Sequence, residues 1–244
     1  MNKTSAEKIL TVLNTQYPHT EDTMNFLEFE TPFQCLILTI LSAQTTDKTV
    51  NGLRGELFSR YPDAAALARA KQEDVERIIH PAGFYHAKAK NIIMASRALA
   101  ERFGGDVPQT IEELTTLPGV GRKTANIVTN HAYHKVLGIA VDTHVKRLSI
   151  RLGFTENTEP EKIEQDLMQL FDKDWWGHIN YLLISHGRAV CDARHPACKA
   201  CVIRGMCGWW KGSGELERSE DMEKSGDVRK SGEQEKGGEQ EKRP

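Results

Sequence analysis

No run of about 18 consecutive apolar residues occurs in the 244-residue sequence, so no segment is expected to span a membrane. The opening MNKTSAEKILTVLNTQYP has no long apolar stretch and no small-residue cleavage site, and is not expected to act as a secretory leader. An excess of charge of either sign is also missing. The segment from Lys211 to Pro244 holds 10 acidic and 8 basic residues, with only Leu216, Met222 and Val228 apolar. Without it the remainder carries 24 acidic and 24 basic residues. That balance speaks against a polyelectrolyte that coats nucleic acid without a defined site; any affinity for DNA has to come from a local patch. Strand patterns are almost absent. The one candidate, Val136–Val141, is too short and isolated to build a sheet.

Cysteine is scarce, and its placement is uneven. Of five cysteines, Cys191, Cys198, Cys201 and Cys207 lie within 17 residues, while Cys35 sits in the apolar run PFQCLILTIL and reads as a core residue. Such a cluster, without an export signal, predicts a metal site over a set of disulfides. The spacing Cys191-x6-Cys198-x2-Cys201-x5-Cys207 suits a tetrahedral zinc or a [4Fe–4S] cluster equally. Arg194, His195, Lys199 and Arg204 add positive charge to the same loop, either as a phosphate-facing patch or as a solvated surface.

The remaining periodicity is helical. Thr4 with Glu7 forms a capping-box pattern ahead of Ile9, Leu10 and Leu13. Thr31-Pro32 pairs an N-cap with proline at the first helical position, and the run that follows is apolar on all sides, which describes a buried central helix. Further helices are expected near 46–60, 63–69, 72–80, 86–103, 110–116, 122–132, 143–152, 160–171 and 176–190. The expected fold is all-α. Residues 211–244, with the near-repeat SGEQEK/GGEQEK, bury too little to offset the entropy of ordering and are expected to be a disordered charged tail.

Between two of these helices stands Leu117-Pro118-Gly119-Val120-Gly121-Arg122-Lys123-Thr124. Pro118 is expected to end the first helix. Gly119 and Gly121 allow a sharp turn and a close approach of backbone to ligand. The second helix then presents unpaired N–H groups and the positive end of its dipole, which together suit a phosphate. An ordinary helix corner would need one glycine; two glycines followed by Arg122 and Lys123 favour backbone-phosphate binding. Lys123 reads either as a phosphate-contacting cation or as a nucleophile, and Asp142 as the N-cap of the helix that follows it. Phe84 and Tyr85, after the Pro81-Ala82-Gly83 break, read as core aromatics or as stacking residues. His144, a lone histidine on a helix, reads as structural.

LPGVGRKTANIV resembles the helix–hairpin–helix of the endonuclease III family of DNA glycosylases, and LSAQTTD (41–47), GFYHAKA (83–89), AVDTHVKRL (140–148) and the cysteine cluster extend the resemblance over most of residues 5–210. The resemblance implies a two-lobed helical fold. A continuous lobe would span about 25–135, with the hairpin near 110–132; residues 1–24 and 136–210 would form the other, with the cysteine loop at 191–207. It implies a bifunctional enzyme acting on damaged double-stranded DNA: removal of an oxidised pyrimidine, then β-elimination at the abasic site through a Lys123 Schiff base, with Asp142 essential to the chemistry. Gln44 would enter the gap left by the flipped nucleotide and Phe84 would wedge the opposite side, with Gly119, Gly121 and Arg122 on the DNA backbone. Leucine is the commoner family residue at the position of Phe84. The resemblance turns the cysteine site toward a [4Fe–4S] cluster held by Cys191, Cys198, Cys201 and Cys207. It also implies a monomeric, cytoplasmic, nucleoid-associated protein. Two alternatives stand beside it. One is a monofunctional glycosylase for mismatched adenine or thymine, against which Lys123 speaks. The other is a noncatalytic iron–sulfur DNA-binding or redox module.

Overall fold

The computed structural model describes residues 1–20 and 23–212; of the charged segment 211–244, expected to be disordered, Lys211 and Gly212 are helical and 213–244 lie outside the described residues. Among the described residues there are helices, short 3₁₀ turns and loops but no strand. The helices are α1 (Lys3–Gln16), α2 (Pro32–Leu41), α3 (Asp47–Arg60), α4 (Ala64–Ala68), α5 (Gln72–Ile79) and α6 (Tyr85–Arg102). They continue with α7 (Ile111–Leu114), α8 (Arg122–Tyr133), α9 (Thr143–Leu152), α10 (Pro160–Leu170) and α11 (Lys173–Ala189). The all-α reading of the sequence is borne out.

Two apolar cores form. The first gathers side chains from Leu27 to Val128 around α2, in which every residue from Cys35 to Leu41 is buried. Thr31 caps α2 by accepting from the Gln34 amide, and Pro32 opens it, as the sequence pattern dictates. The second joins Ala6, Ile9, Leu10 and Leu13 of α1 to residues from Ile139 to Ile203. Helix α1 thus packs with α11, at the opposite end of the chain.

Two local expectations are corrected, and one is met. Helix α1 is capped by Asn2, whose Oδ1 accepts from the Ser5 amide at 2.9 Å, so Thr4 lies inside the helix and forms no capping box with Glu7. Helix α7 ends at Leu114, well before Pro118, because the Thr115 and Thr116 hydroxyls donate to the carbonyls of Glu112 and Glu113 and compete with the helical ladder. Residues 136–141 make no strand pairing. Their backbone is met by side chains instead: Glu164 accepts from the Ile139 amide at 3.2 Å, and Asn180 donates to the Ala140 carbonyl at 2.7 Å. A buried extended segment needs such partners when no strand lies beside it.

Candidate active site and cysteine loop

The hairpin divides its work between its two glycines. Gly119 has φ +78°, and a Cβ there would stand 2.9 Å from Cβ of Asn91, so the turn excludes any larger residue twice over. Gly121 is the N-cap of α8 in extended backbone, with open space where a Cβ would be and no side chain to cap the helix. The first turn of α8 therefore faces outward with its amide donors uncovered by side chain, a geometry that suits an anion.

Arg122 and Lys123, adjacent in sequence, turn to different tasks. The Arg122 Nε donates to Glu164 Oε2 at 2.5 Å. Glu164 is buried, and its Oε1 accepts from Asn126 Nδ2 at 2.8 Å as well as from the Ile139 amide. That carboxylate, on α10, ties the first turns of α8 to the segment leading to Asp142. The ion pair keeps the Arg122 guanidinium charged, with Glu164 the leading cause. Lys123 lines a cavity of about 390 Å³ whose walls come from the segments 24–27 and 42–47 and from α8, α9 and α11.

Asp142 lines the same cavity as the N-cap of α9, its Oδ1 accepting from the Val145 amide at 2.8 Å. Both roles considered for it are thus sterically compatible: one oxygen caps the helix, and the other has no partner among the described residues. Gln44 also lines the cavity, from a turn that the Thr45 amide closes on the Ser42 carbonyl at 3.2 Å. Phe84 is not part of the lining. It stands 70% exposed at the start of α6, while Tyr85 is partly buried against the first core, so only Tyr85 is a core aromatic. Gln44 and Phe84, with φ 53° and 58°, are two of the three non-glycine residues with left-handed backbone among those described.

Tertiary structure adds lining residues that motif reading left aside: His144, Asn180, His131 and Arg188. Burial lowers the pKa of His144, against the nearby Asp142 carboxylate, which raises it. Arg188 on α11 donates to Asp47 Oδ2 at the start of α3 at 2.6 Å and lies over the Phe26 ring at 4.4 Å. These residues carry no sequence signal beyond a polar position on a helix, because the partner that gives each one meaning is remote along the chain.

The four clustered cysteines line one small cavity with Leu152, Val190 and Ile203. Arg151 Nη1 lies 3.3 Å from Cys191 Sγ, and His186 Nε2 lies 3.4 Å from Cys201 Sγ. The Arg151 contact places an N–H donor on sulfur, as a thiolate favours, while the direction of the His186 contact depends on its tautomer. Among the described residues, no three His, Cys, Asp or Glu side chains converge in a single-ion arrangement. Four thiols on one cavity are a donor set that fits an iron–sulfur group. Arg194, His195, Lys199 and Arg204 are all exposed on this loop.

Comparison with known proteins agrees with this geometry. The family model described as "HhH-GPD superfamily base excision DNA repair protein" matches residues 37–173. Endonuclease III of Synechocystis sp. is 50% identical over 205 residues, covering 84% of this chain and 92% of its own. Endonuclease III of Escherichia coli strain K12 is 39% identical over 207 residues, covering 85% of this chain and 96% of its own. Among solved structures, a trapped endonuclease III–DNA covalent intermediate superimposes with a TM-score of 0.80 at 36% identity, covering 87% of this chain and 99% of that one. A thermostable thymine-DNA glycosylase, at 22% identity and a TM-score of 0.73, shares the fold. A hairpin built to meet phosphate, a lysine and an aspartate on one cavity, and these likenesses converge: the chain belongs to the endonuclease III family of the HhH-GPD superfamily.

Proposed function

We propose that the chain excises oxidised pyrimidines from duplex DNA and nicks the resulting abasic site, with Lys123 as nucleophile and Asp142 as its partner. The observation that carries this reading is that both residues, each at the start of its own helix, line one cavity. It is a base-excision repair enzyme, a DNA glycosylase with abasic-site lyase activity. The solved relative trapped as a covalent DNA intermediate supports a covalent route.

The damaged nucleotide turns out of the stack into the cavity, at a cost of a few kcal/mol. The neutral Lys123 amine attacks C1′ of the deoxyribose; the N-glycosidic bond breaks, and the base leaves with the bonding electrons and a proton. The sugar ring opens to an imine between Nζ and C1′. Loss of a C2′ proton then expels the 3′ phosphate oxygen, and water hydrolyses the imine to free the lysine. Asp142, next to the reacting sugar, accepts a proton from the amine or stabilises the cationic sugar. Gln44 occupies the vacated stack and Phe84 the opposite side. An exposed ring gains apolar contact when a base stacks on it. Gly119, Gly121 and the first turn of α8 hold the DNA backbone, and Arg122 acts on it through the placement of that turn. The two cores correspond to two lobes, about 25–135 and 1–24 plus 136–210, and the enzyme works as a monomer in the cytoplasm on nucleoid DNA.

Cys191, Cys198, Cys201 and Cys207 would hold the [4Fe–4S] cluster. When bound, it supplies a four-thiolate cross-link that fixes the loop. Among the described residues, no helix is long and apolar enough to cross a membrane.

Borohydride trapping on duplex DNA with one thymine glycol tests the reading. Wild type should give a covalent adduct and a nicked strand; Lys123→Ala should give no adduct and Asp142→Asn very little. Base release with no adduct would assign the chain to the monofunctional class. Binding without either product would assign it to the noncatalytic class.

A further inference from the structure

The mechanism above leaves Lys88 unused, although it is an unusual residue. It is only 5% exposed, on a helix whose neighbouring side chains are apolar, and among the described residues no carboxylate pairs with it. Burial alone lowers its pKa. An ammonium group held out of water without a counter-ion is costly, and such a cost persists where the group fulfils a task. Its recorded side-chain bond is to Thr45 Oγ1, at 2.6 Å.

That bond joins two segments far apart in sequence. Thr45 closes the turn that carries Gln44, and the Lys88 amide donates to the Phe84 carbonyl at 3.1 Å in the first turn of α6. Gly83, beside Phe84, packs so closely on this turn that an added Cβ would lie 3.5 Å from the Gln44 carbonyl oxygen. Gln44 and Phe84 are both in left-handed backbone, which a residue with a side chain keeps only where its surroundings impose it. One lysine thus holds the Gln44 turn through its ammonium and Phe84 through its amide.

We infer that Lys88 is a positioning residue whose bond to Thr45 locks the Gln44 turn to the Phe84 turn, so that the two DNA-inserting side chains enter the duplex as one unit. The inference rests on the proposed roles of Gln44 and Phe84. It assigns Lys88 no contact with the reacting atoms. Without the lock, each turn relaxes alone and the pair loses its spacing, so expulsion of the damaged nucleotide suffers while the chemistry at C1′ does not.

The test compares Lys88→Met, which keeps the length of the side chain, with Thr45→Val, which keeps its shape, and with Thr45→Ser, which keeps the hydroxyl. On duplex DNA with thymine glycol, the first two should slow single-turnover base excision about tenfold, the scale of one lost charge-assisted bond. The double variant should be no slower than the slower single one, because both remove the same interaction. Thr45→Ser should match wild type. On single-stranded DNA with a preformed abasic site, where there is no base to expel, borohydride trapping by every variant should match wild type. Equal losses on the two substrates, losses that multiply in the double variant, or a Thr45→Val enzyme as fast as Thr45→Ser would each overturn the inference. The last comparison decides alone if Lys88→Met does not fold. Wild type that traps on neither substrate would overturn the Lys123 reading instead, so the two failures are distinct.

Discussion

Gly119 shows how much a single residue decides. Its positive φ and the Asn91 side chain at the place of its missing Cβ make it the least replaceable residue of the hairpin. Gly119→Ala should lower stability by about 1–3 kcal/mol, from a strained backbone and a forced shift of Asn91, read as a lower denaturation midpoint. Gly121→Ala should cost less, about 0.5–1 kcal/mol by the same measurement, since its backbone is extended, its surroundings are open and only the N-cap preference for glycine is lost. Weaker DNA binding by Gly121→Ala beyond that small loss of stability would mark a site of close backbone approach. Both glycines are plain in the sequence, but the difference between them is not, because it depends on Asn91, 28 positions earlier in the chain. Arg122 teaches the same lesson from the other side. Its charge and its place beside Lys123 suggest a phosphate contact, and only the structure shows that its Nε is held by Glu164.

At the level of elements, that carboxylate is the joint between the hairpin helix and the segment leading to Asp142. Glu164 meets Arg122, Asn126 and the Ile139 amide at once, and Gly138 leaves no room beside it for a side chain. Glu164→Ala should destabilise the protein by about 1–3 kcal/mol, because it leaves the buried Asn126 and Ile139 N–H donors without their acceptor, while the half-exposed Arg122 guanidinium stays hydrated. Glu164→Gln, which keeps an acceptor for Asn126 and Ile139, should lose less; equal losses in urea unfolding would show that the Arg122 charge pair alone matters. Most helix limits follow from local physics. Thr31-Pro32 opens α2 and Asp142 opens α9 where capping rules place them. At Val136–Val141 the strand-like pattern is too short and isolated to build a sheet, and three side chains from α8, α10 and α11 supply the hydrogen bonds. Pattern rules carry no information about partners so distant.

For the molecule as a whole, His131 links structure to pH. It lines the catalytic cavity, and burial, reinforced by His134, lowers its pKa from 6.5 to about 4. The folded state therefore favours the neutral ring. At pH above 6.5 its contribution to stability is complete; as pH falls toward 4, the unfolded chain takes up a proton that the folded one refuses, and stability declines. Replacing it with asparagine should flatten the pH dependence of the unfolding midpoint across that window, whatever it does to stability at neutral pH. A curve of unchanged slope would show that the histidine is not held neutral.

The sequence by itself determined the helical class, most helix limits, the hairpin and the cysteine set, because capping, periodicity and glycine placement act over a few residues and need no distant partner. Only the tertiary structure decided which polar residues share a cavity and which are spent on each other. Adjacent residues such as Arg122 and Lys123 differ by what remote segments bring to them, as do Phe84 and Tyr85. Lys88 looks like any surface lysine along its helix; packing buries it and sets Thr45 against its ammonium. Burial and hydrogen-bond partnership are properties of the packed chain, and the energy of a polar group is set there.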